Sequence, residues 1–409
     1  LLESHNFKAA YYASILYLIT PIHFVAPLIT TDVPLVLFSV LAIYFFWKAI
    51  NKSGYFYYAI TGAFLGSAFL SKYLMAFLFL SFLLYFLFQR QSKKNHLGFG
   101  VMLLASLPFA ATHLYWNYNN CWVNFIFNIY TRNEGESFLI QNVLYYCLFQ
   151  LYLITPFLLY YIVKCRNKIN WGSSALFSYA LTVFLVPIFS FFILSFKSSQ
   201  SLHWLLSFYP AFYIILSFIF GEKEFKSGLK WMVGFLLLHV VVVATLLLIP
   251  LDTFKNSRHY RNVVLIRELK TVSSVLLNKV IDDEVIVTPS YTLSSLFSYS
   301  FSRKVPVFNS YSKFGRNDDL TVDYSLFNNK DITILSRGHD LKKGILKYFD
   351  EVIKEQVFIL GTPFYIYKGK NFNYFKYQNE NLKPIVDRFY NHPFVFEDGG
   401  CVVKERAEL

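Results

Sequence analysis

Nine apolar runs, each long enough or nearly long enough to cross a bilayer, constrain this chain more than any other feature. They fall near 8–29, 33–49, 54–70, 73–89, 97–116, 139–163, 173–195, 203–220 and 231–250. A hydrocarbon core of about 30 Å takes roughly 20 apolar residues of helix, because each backbone N–H and C=O must be satisfied inside the segment. The 409 residues are 55% hydrophobic and only 15% charged, which excludes an ordinary soluble globular protein. The expected fold class is an α-helical polytopic membrane protein of about nine spans over residues 1–250. A small α/β domain is expected over residues 251–409.

The connectors between the runs orient the chain. Lys48, Lys52, Arg90, Lys93, Lys94, Lys164, Arg166, Lys168, Lys223, Lys226 and Lys230 lie on one side, against Lys72, Arg132 and Lys197 on the other. The positive-inside rule puts the first set in the cytoplasm. Asp32, Lys72, the loop 117–138, the segment 196–202 and the C-terminal domain then face outward. The net charge of +13 reads as cytoplasmic loops facing anionic membrane lipids, not as nucleic-acid binding. Residues 54–89 as one helix would extend roughly 50 Å, too long for the core. They read as a tight hairpin with Ser71-Lys72-Tyr73 at its outer tip.

A few polar residues interrupt this apolar pattern. Asp32 stands in Pro27-Leu28-Ile29-Thr30-Thr31-Asp32-Val33-Pro34-Leu35, between two apolar runs. A charge at the centre of a membrane helix costs about 2.5–3.5 kcal/mol on insertion scales, so Asp32 belongs where water reaches it. It reads either as a helix cap with Pro just inside the helix or as an acidic site residue at the membrane surface. Lys72 reads either as a snorkelling lysine or as a grip on a lipid phosphate. The loop 117–138, after Tyr115-Trp116, carries Asn117, Trp122 and Arg132 among other amides and aromatics. It suits an interfacial aromatic belt and equally the stacking and hydrogen bonding that sugars need. His203 and Trp204 enter a late span, and His203 reads as an interfacial histidine or as a third outer polar group. His23 and His113 read as packing or interface residues.

From Leu251 onward charges return and long apolar runs stop. Helical spacing is expected over 262–280, short buried strands at Glu284–Thr288 and Ile332–Ser336, and an amphipathic helix at Asp340–Lys354. Val357–Lys368 reads as a strand pair, or one strand broken at Gly361-Thr362-Pro363. There is no Gly-rich phosphate loop and no His-Glu-x-x-His. The four cysteines show no metal-ligand spacing. Cys121 and Cys401 both face outward, which permits a disulfide that the sequence cannot establish.

Several of these pieces together resemble the GT-C membrane glycosyltransferases. The nearest branch is the bacterial one related to lipid A aminoarabinose transferase and the protein O-mannosyltransferases. The matching stretches are Thr31-Asp32-Val33-Pro34-Leu35, Gly62 to Gly66 followed by Leu70-Ser71-Lys72-Tyr73, Pro108 leading to Trp116-Asn117 and Asn120-x-Trp122, and Leu202-His203-Trp204. The resemblance implies an inverting transferase that moves a sugar from a polyprenyl-phosphate donor to a lipid or protein acceptor on the periplasmic face. It implies catalytic roles for Asp32, Lys72 and His203, with Asp32 organising the site, in some members through a divalent metal. It implies substrate contacts from Tyr73, Trp116, Asn117, Trp122, Arg132 and Trp204. The family's general base lies in a first outer loop with no counterpart here, so the chain is expected to be N-terminally incomplete. Two other readings stand beside this one. A transporter or flippase of a lipid-linked sugar would carry ionisable groups at the bilayer midplane and matching halves. A membrane anchor for residues 251–409 would leave the outer polar residues unexplained.

Overall fold

The computed structural model describes residues 7–20, 23, 31–130, 139–168, 174–280, 284–308, 317–338, 341, 343–391 and 399–408. Every apolar run carries a helix. The first six helices are α1 (Phe7–Leu18), α2 (Asp32–Lys52), α3 (Tyr55–Ser71), α4 (Ala76–Phe88), α5 (Lys93–Asn119) and the single turn α6 (Val123–Phe125). They are followed by α7 (Ile140–Ile154), α8 (Pro156–Cys165), α9 (Ala175–Ser195), α10 (Tyr209–Ile219) and α11 (Glu222–Leu248). Among the described residues, four of these helices are long and apolar enough to cross a membrane: α2, α5, α9 and α11. They mark the chain as an integral membrane protein. The run 139–163 is not one straight helix. Thr155 leaves the helical region (φ 68°, ψ 139°) before Pro156, as a residue preceding proline tends to do, and α7 and α8 meet at 78°. Counted as one span, they bring the total to five. The other runs carry shorter helices: α10, at 11 residues, rises only about 16 Å.

Burial follows the lipid logic. Helix α11 exposes Trp231, Leu238, Val241 and Leu248, and an apolar stripe of that length is tolerable only against lipid or a partner. Helix α10, by contrast, buries eight of its 11 residues. The chain reverses at residues 71–75. Tyr58 near the start of α3 and Phe82 late in α4 both pack on Phe46 of α2, with ring centroids 6.3 and 4.2 Å away. The expected tight hairpin is therefore present. Helix α3 lies close on α5: a Cβ added to Gly62 would sit 2.2 Å from the Met102 carbonyl oxygen. Small residues allow this close approach, as is common between membrane helices.

The chain divides into two compact units, Leu1–Leu114 with Gly135–Leu247 and Tyr115–Glu134 with Leu248–Leu409. The second unit contains α12 (Tyr260–Arg267), α13 (Leu269–Leu277) and α14 (Tyr291–Phe301), with a sheet of β1 (Val285–Val287), β2 (Ile332–Ser336), β3 (Glu351–Ile359) and β4 (Thr362–Lys370). The strand order is β1-β2-β4-β3, with β1 parallel to β2 and the other pairs antiparallel. Both faces are covered. Leu335 and Ile366 face a core built with Val264, Val272 and Phe297, while Ile332 and Ile334 face one built with Phe308, Tyr348 and Tyr377. All five residues of β2 are accordingly buried.

One expectation fails here. The helix expected over Asp340–Lys354 is reduced to Lys343–Leu346, and Glu351–Lys354 open β3 instead. Nine ladder pairs with β4, closed by the left-handed pair Leu360 and Gly361 (φ 50° and 76°), outweigh local helical preference.

Segment 115–134 groups with the C-terminal residues because of a covalent bond and a small core. Cys121 and Cys401 form a disulfide across 280 residues of sequence. Around it pack Trp122, Val123, Ile126, Ile385, Phe389 and Tyr390. In the chain-entropy account a loop of this length is worth on the order of 5 kcal/mol. Cys147 and Cys165 remain free. Alkylation of the denatured chain, followed by mass spectrometry, is therefore expected to modify two cysteines before reduction and four after it. Cys401→Ser should speed proteolytic cleavage within 115–130 several-fold, and equal cleavage rates would show that the disulfide does not hold this segment.

Candidate functional site

Helix α2 starts at Asp32, with Thr31 at the N-cap position making no side-chain capping bond. The Asp32 carboxylate sits in the first turn, where the helix dipole favours negative charge. Its Oδ1 accepts a hydrogen bond from Lys72 Nζ at 2.6 Å. Both side chains are largely buried, Lys72 at 22% and Asp32 at 15% exposure, so this pair is more than a solvated surface contact. The turn that delivers Lys72 has its backbone satisfied. Lys72 is extended (φ −159°, ψ 144°), donates its N–H to Ala68 O at 3.0 Å and accepts from Met75 N–H at 3.2 Å.

Asp32 is the only Asp or Glu between residues 4 and 133. The first unit thus places its one carboxylate of this long stretch on the lysine at the tip of the α3–α4 hairpin. Residues 40 apart in sequence, both singled out from sequence, are brought into one ion pair. The cap reading of Asp32 gives way to this cross-chain partner.

Beside Lys72, the Tyr73 hydroxyl and His113 Nε2 share a hydrogen bond of 2.6 Å. His113, on α5, is buried. The Phe69 ring packs on both, with centroids 5.5 Å from Tyr73 and 5.3 Å from His113. From sequence His113 reads as a packing or interface residue. The available signal was its place four residues before Asn117 near the end of a span, where a histidine needs a polar partner. Just beneath lies an apolar cavity of about 230 Å³, lined by Leu65, Phe69, Met75, Phe79, Ser106 and Ala110. Phe69, which packs on Tyr73 and His113, is also part of the lining of this cavity.

His203 and Trp204 lie in a 3-10 turn, Leu202–Leu205, ahead of α10. Their rings meet edge-on at 6.4 Å. Trp204 packs on Phe191 of α9 at 6.1 Å, and Phe191 packs on Phe77 of α4 at 4.8 Å. This turn therefore shares the end of the unit at which α4 begins.

The remaining expected contacts belong to the second unit. Trp116 and Asn117 close α5. Asn117 is fully buried, and its carbonyl accepts from the N–H groups of Asn120 and Trp122 at 3.0 and 2.9 Å. Cys121 and Trp122 then adopt left-handed backbone, both at φ 53°. Each costs roughly 1–2 kcal/mol for a residue with a Cβ, and the disulfide with its surrounding core holds them there. The Trp122 indole is buried in that core, with Phe125 edge-on at 5.4 Å. Arg132 lies outside the described residues. Among the described residues no three His, Cys, Asp or Glu side chains gather to hold a metal ion.

Residues 3–116 match the family model described as dolichyl-phosphate-mannose-protein mannosyltransferase. That stretch contains Asp32, Lys72, Tyr73 and His113. Nothing among curated proteins or solved structures matches the chain.

The ion pair makes a stability prediction. Removing one partner leaves a charge in a largely buried position, whereas removing both does not. Asp32→Asn and Lys72→Met should each destabilise the protein by about 1–3 kcal/mol, and the double variant by clearly less than the sum. Thermal unfolding in detergent, followed by tryptophan fluorescence, reads this; additive shifts would mean that the two side chains act independently.

Proposed function

We propose that this chain, whose residues 3–116 belong to the dolichyl-phosphate-mannose-protein mannosyltransferase family, transfers a sugar from a polyprenyl-phosphate donor to an acceptor at the outer face of a bacterial inner membrane. The family implies a glycosyltransferase that uses a lipid-linked sugar. The observation that carries the reading to particular residues is the Asp32–Lys72 pair at 2.6 Å, formed by the only carboxylate of residues 4–133 within the matched stretch. A cation held at the end of a membrane hairpin, beside an apolar cavity, suits an amphiphile with a phosphate head and an isoprenoid tail.

In this reading Lys72 binds the donor phosphate. When the acceptor hydroxyl attacks the anomeric carbon, the bond from that carbon to the phosphate oxygen breaks. Its electron pair leaves on the polyprenyl phosphate, with inversion at carbon. Lys72 offsets the charge that builds on this leaving group, an effect that grows where water is excluded. Asp32 fixes the ammonium before the donor arrives, and the Tyr73–His113 hydrogen bond fixes the turn that carries it. The general base lies outside the residues discussed, and the acceptor proton passes to it. His203 and Trp204 line the donor side at the same end.

Two observations support the outward orientation. Eleven basic residues lie in one set of connectors against three in the other. The Cys121–Cys401 disulfide belongs to an oxidising compartment. All nine helical runs then cross or re-enter the bilayer, and residues 251–409 form a periplasmic domain.

Transfer from a radiolabelled polyprenyl-phosphate sugar, in membranes carrying the protein, tests the reading. Lys72→Ala should lower turnover at least a hundredfold, and Lys72→Arg should restore part of it. Asp32→Asn should lower it tenfold or more. Wild-type turnover in Lys72→Ala would remove the lysine from the mechanism. Movement of intact donor across the bilayer without transfer would replace the transferase with a flippase.

A further inference from the structure

The end of α2 away from Asp32 has a charge pattern of its own. Helix α2 is 21 residues long, so its last turn lies about 30 Å from the ion pair. Lys48 and Lys52 occupy that end. Tyr55 and Tyr57 open α3, Arg90 lies in the turn after α4, and Lys93 and Lys94 open α5. Local contacts bring these segments together. Asn95 Nδ2 donates to the Ile50 carbonyl at 3.3 Å, tying the start of α5 to the end of α2. The Tyr58 ring occupies the space in front of Gly98, where a Cβ would meet it at 2.2 Å. Phe86 packs on Phe99 at 4.6 Å and on His96 at 5.1 Å, which brings in the end of α4.

The cations at this end stand beside aromatic rings. Lys48 Nζ is 4.7 Å from the Tyr44 centroid, Lys52 Nζ is 5.7 Å from Tyr57, and Lys94 Nζ is 5.9 Å from Tyr55. Tyr44, Tyr55 and Phe56 are themselves exposed. The stretch 33–133 supplies no carboxylate to this end. Elsewhere in the unit, Glu222 pairs with Lys8 and Lys226 at 3.4 and 2.7 Å, and Glu224 accepts from Gly221 N–H at 3.0 Å. Cations gathered from three segments, rimmed by exposed aromatics and drawing on an acid-free sequence, lie at the end of the spanning helices.

We propose that this end is a binding site for the headgroup of an anionic phospholipid. The phosphodiester sits among Lys52, Arg90, Lys93 and Lys94, and its acyl chains lie along Tyr44 and Phe56. The aromatics are at the level where tyrosines favour the membrane interface, and juxtamembrane lysines and arginines select anionic lipids over zwitterionic ones. The site is distinct from the pair at the other end of α2, and its test reads no sugar transfer.

The test uses the full chain in detergent, titrated with phosphatidylglycerol or phosphatidylcholine and read by native mass spectrometry. Phosphatidylglycerol should bind roughly tenfold more tightly than phosphatidylcholine. Lys52→Gln with Lys93→Gln and Lys94→Gln should abolish that preference. The same three positions changed to Arg should keep it, which separates loss of charge from loss of fold. Lys164→Gln with Arg166→Gln and Lys168→Gln, in a different connector, should leave it within about twofold. Equal binding of the two lipids would overturn the proposal. So would loss of preference in the Arg variant, loss in the control to the same degree, or displacement of phosphatidylglycerol by inorganic phosphate alone.

Discussion

A carboxylate at the edge of a hydrocarbon layer must be hydrated, neutralised by protonation, or paired. Asp32 is paired, and much of the first unit is arranged around that solution. The pair joins the start of α2 to the end of α3, so the hairpin that follows has a fixed tip. Phe46, further along α2, then meets Tyr58 of α3 and Phe82 of α4. Helix α5 comes alongside at Gly62 and Gly66 and places His113 against Tyr73. A lysine alone at this tip could snorkel, and an aspartate alone could cap a helix. Together they tie down two helix ends that apolar packing, which is non-directional, would leave free to slide.

The parts of the fold that could be read from sequence are those governed by one strong local rule. Strand β2 was delimited to the residue because a run of five apolar or small residues between turn signals leaves few alternatives. The reversal at Lys72 followed from length, since no single helix of 36 residues fits a bilayer. The turn at Gly361 is visible in the sequence, but that Glu351–Lys354 belong to β3 rather than to a helix over 340–354 is decided by cross-strand pairing with β4, which no local spacing in that stretch announces. The bend at Thr155 depended on Pro156, which was visible, but its 78° angle depends on packing, which was not.

The site was legible in proportion to its charge. Asp32 and Lys72 stood out because ionisable residues in apolar sequence are costly, and cost narrows the explanations. That the two would meet was not legible, because nothing in sequence spacing couples positions 40 residues apart. A histidine on an apolar helix is sufficiently explained as a packing or interface residue, and the Tyr73 hydroxyl that meets His113 at 2.6 Å comes from a position 40 residues away that no spacing couples to it. Trp122 shows what a neighbouring covalent bond adds to a local reading. An aromatic in a polar loop suggests a stacking platform, but a disulfide one residue away pulls this one into a core.

Cysteine chemistry bears on orientation independently of charge. Cys121 and Cys401 are bonded, whereas Cys165 is a buried thiol at the end of α8, between Lys164 and Arg166. Cys165 therefore sits in a connector rich in lysine and arginine, and the bonded pair includes a cysteine from a connector that is not. The positive-inside rule reflects how chains insert, and disulfide formation reflects where oxidants are, so the two have no common cause within the polypeptide. Their agreement is what the proposed orientation requires. A sugar donor delivered to Lys72 from the outer leaflet and an anionic headgroup held at Lys52 and Lys94 in the inner leaflet would then occupy opposite ends of the same helix, α2. Each end presents positive charge to a phosphate, but only the outer one carries a carboxylate to hold its lysine in place.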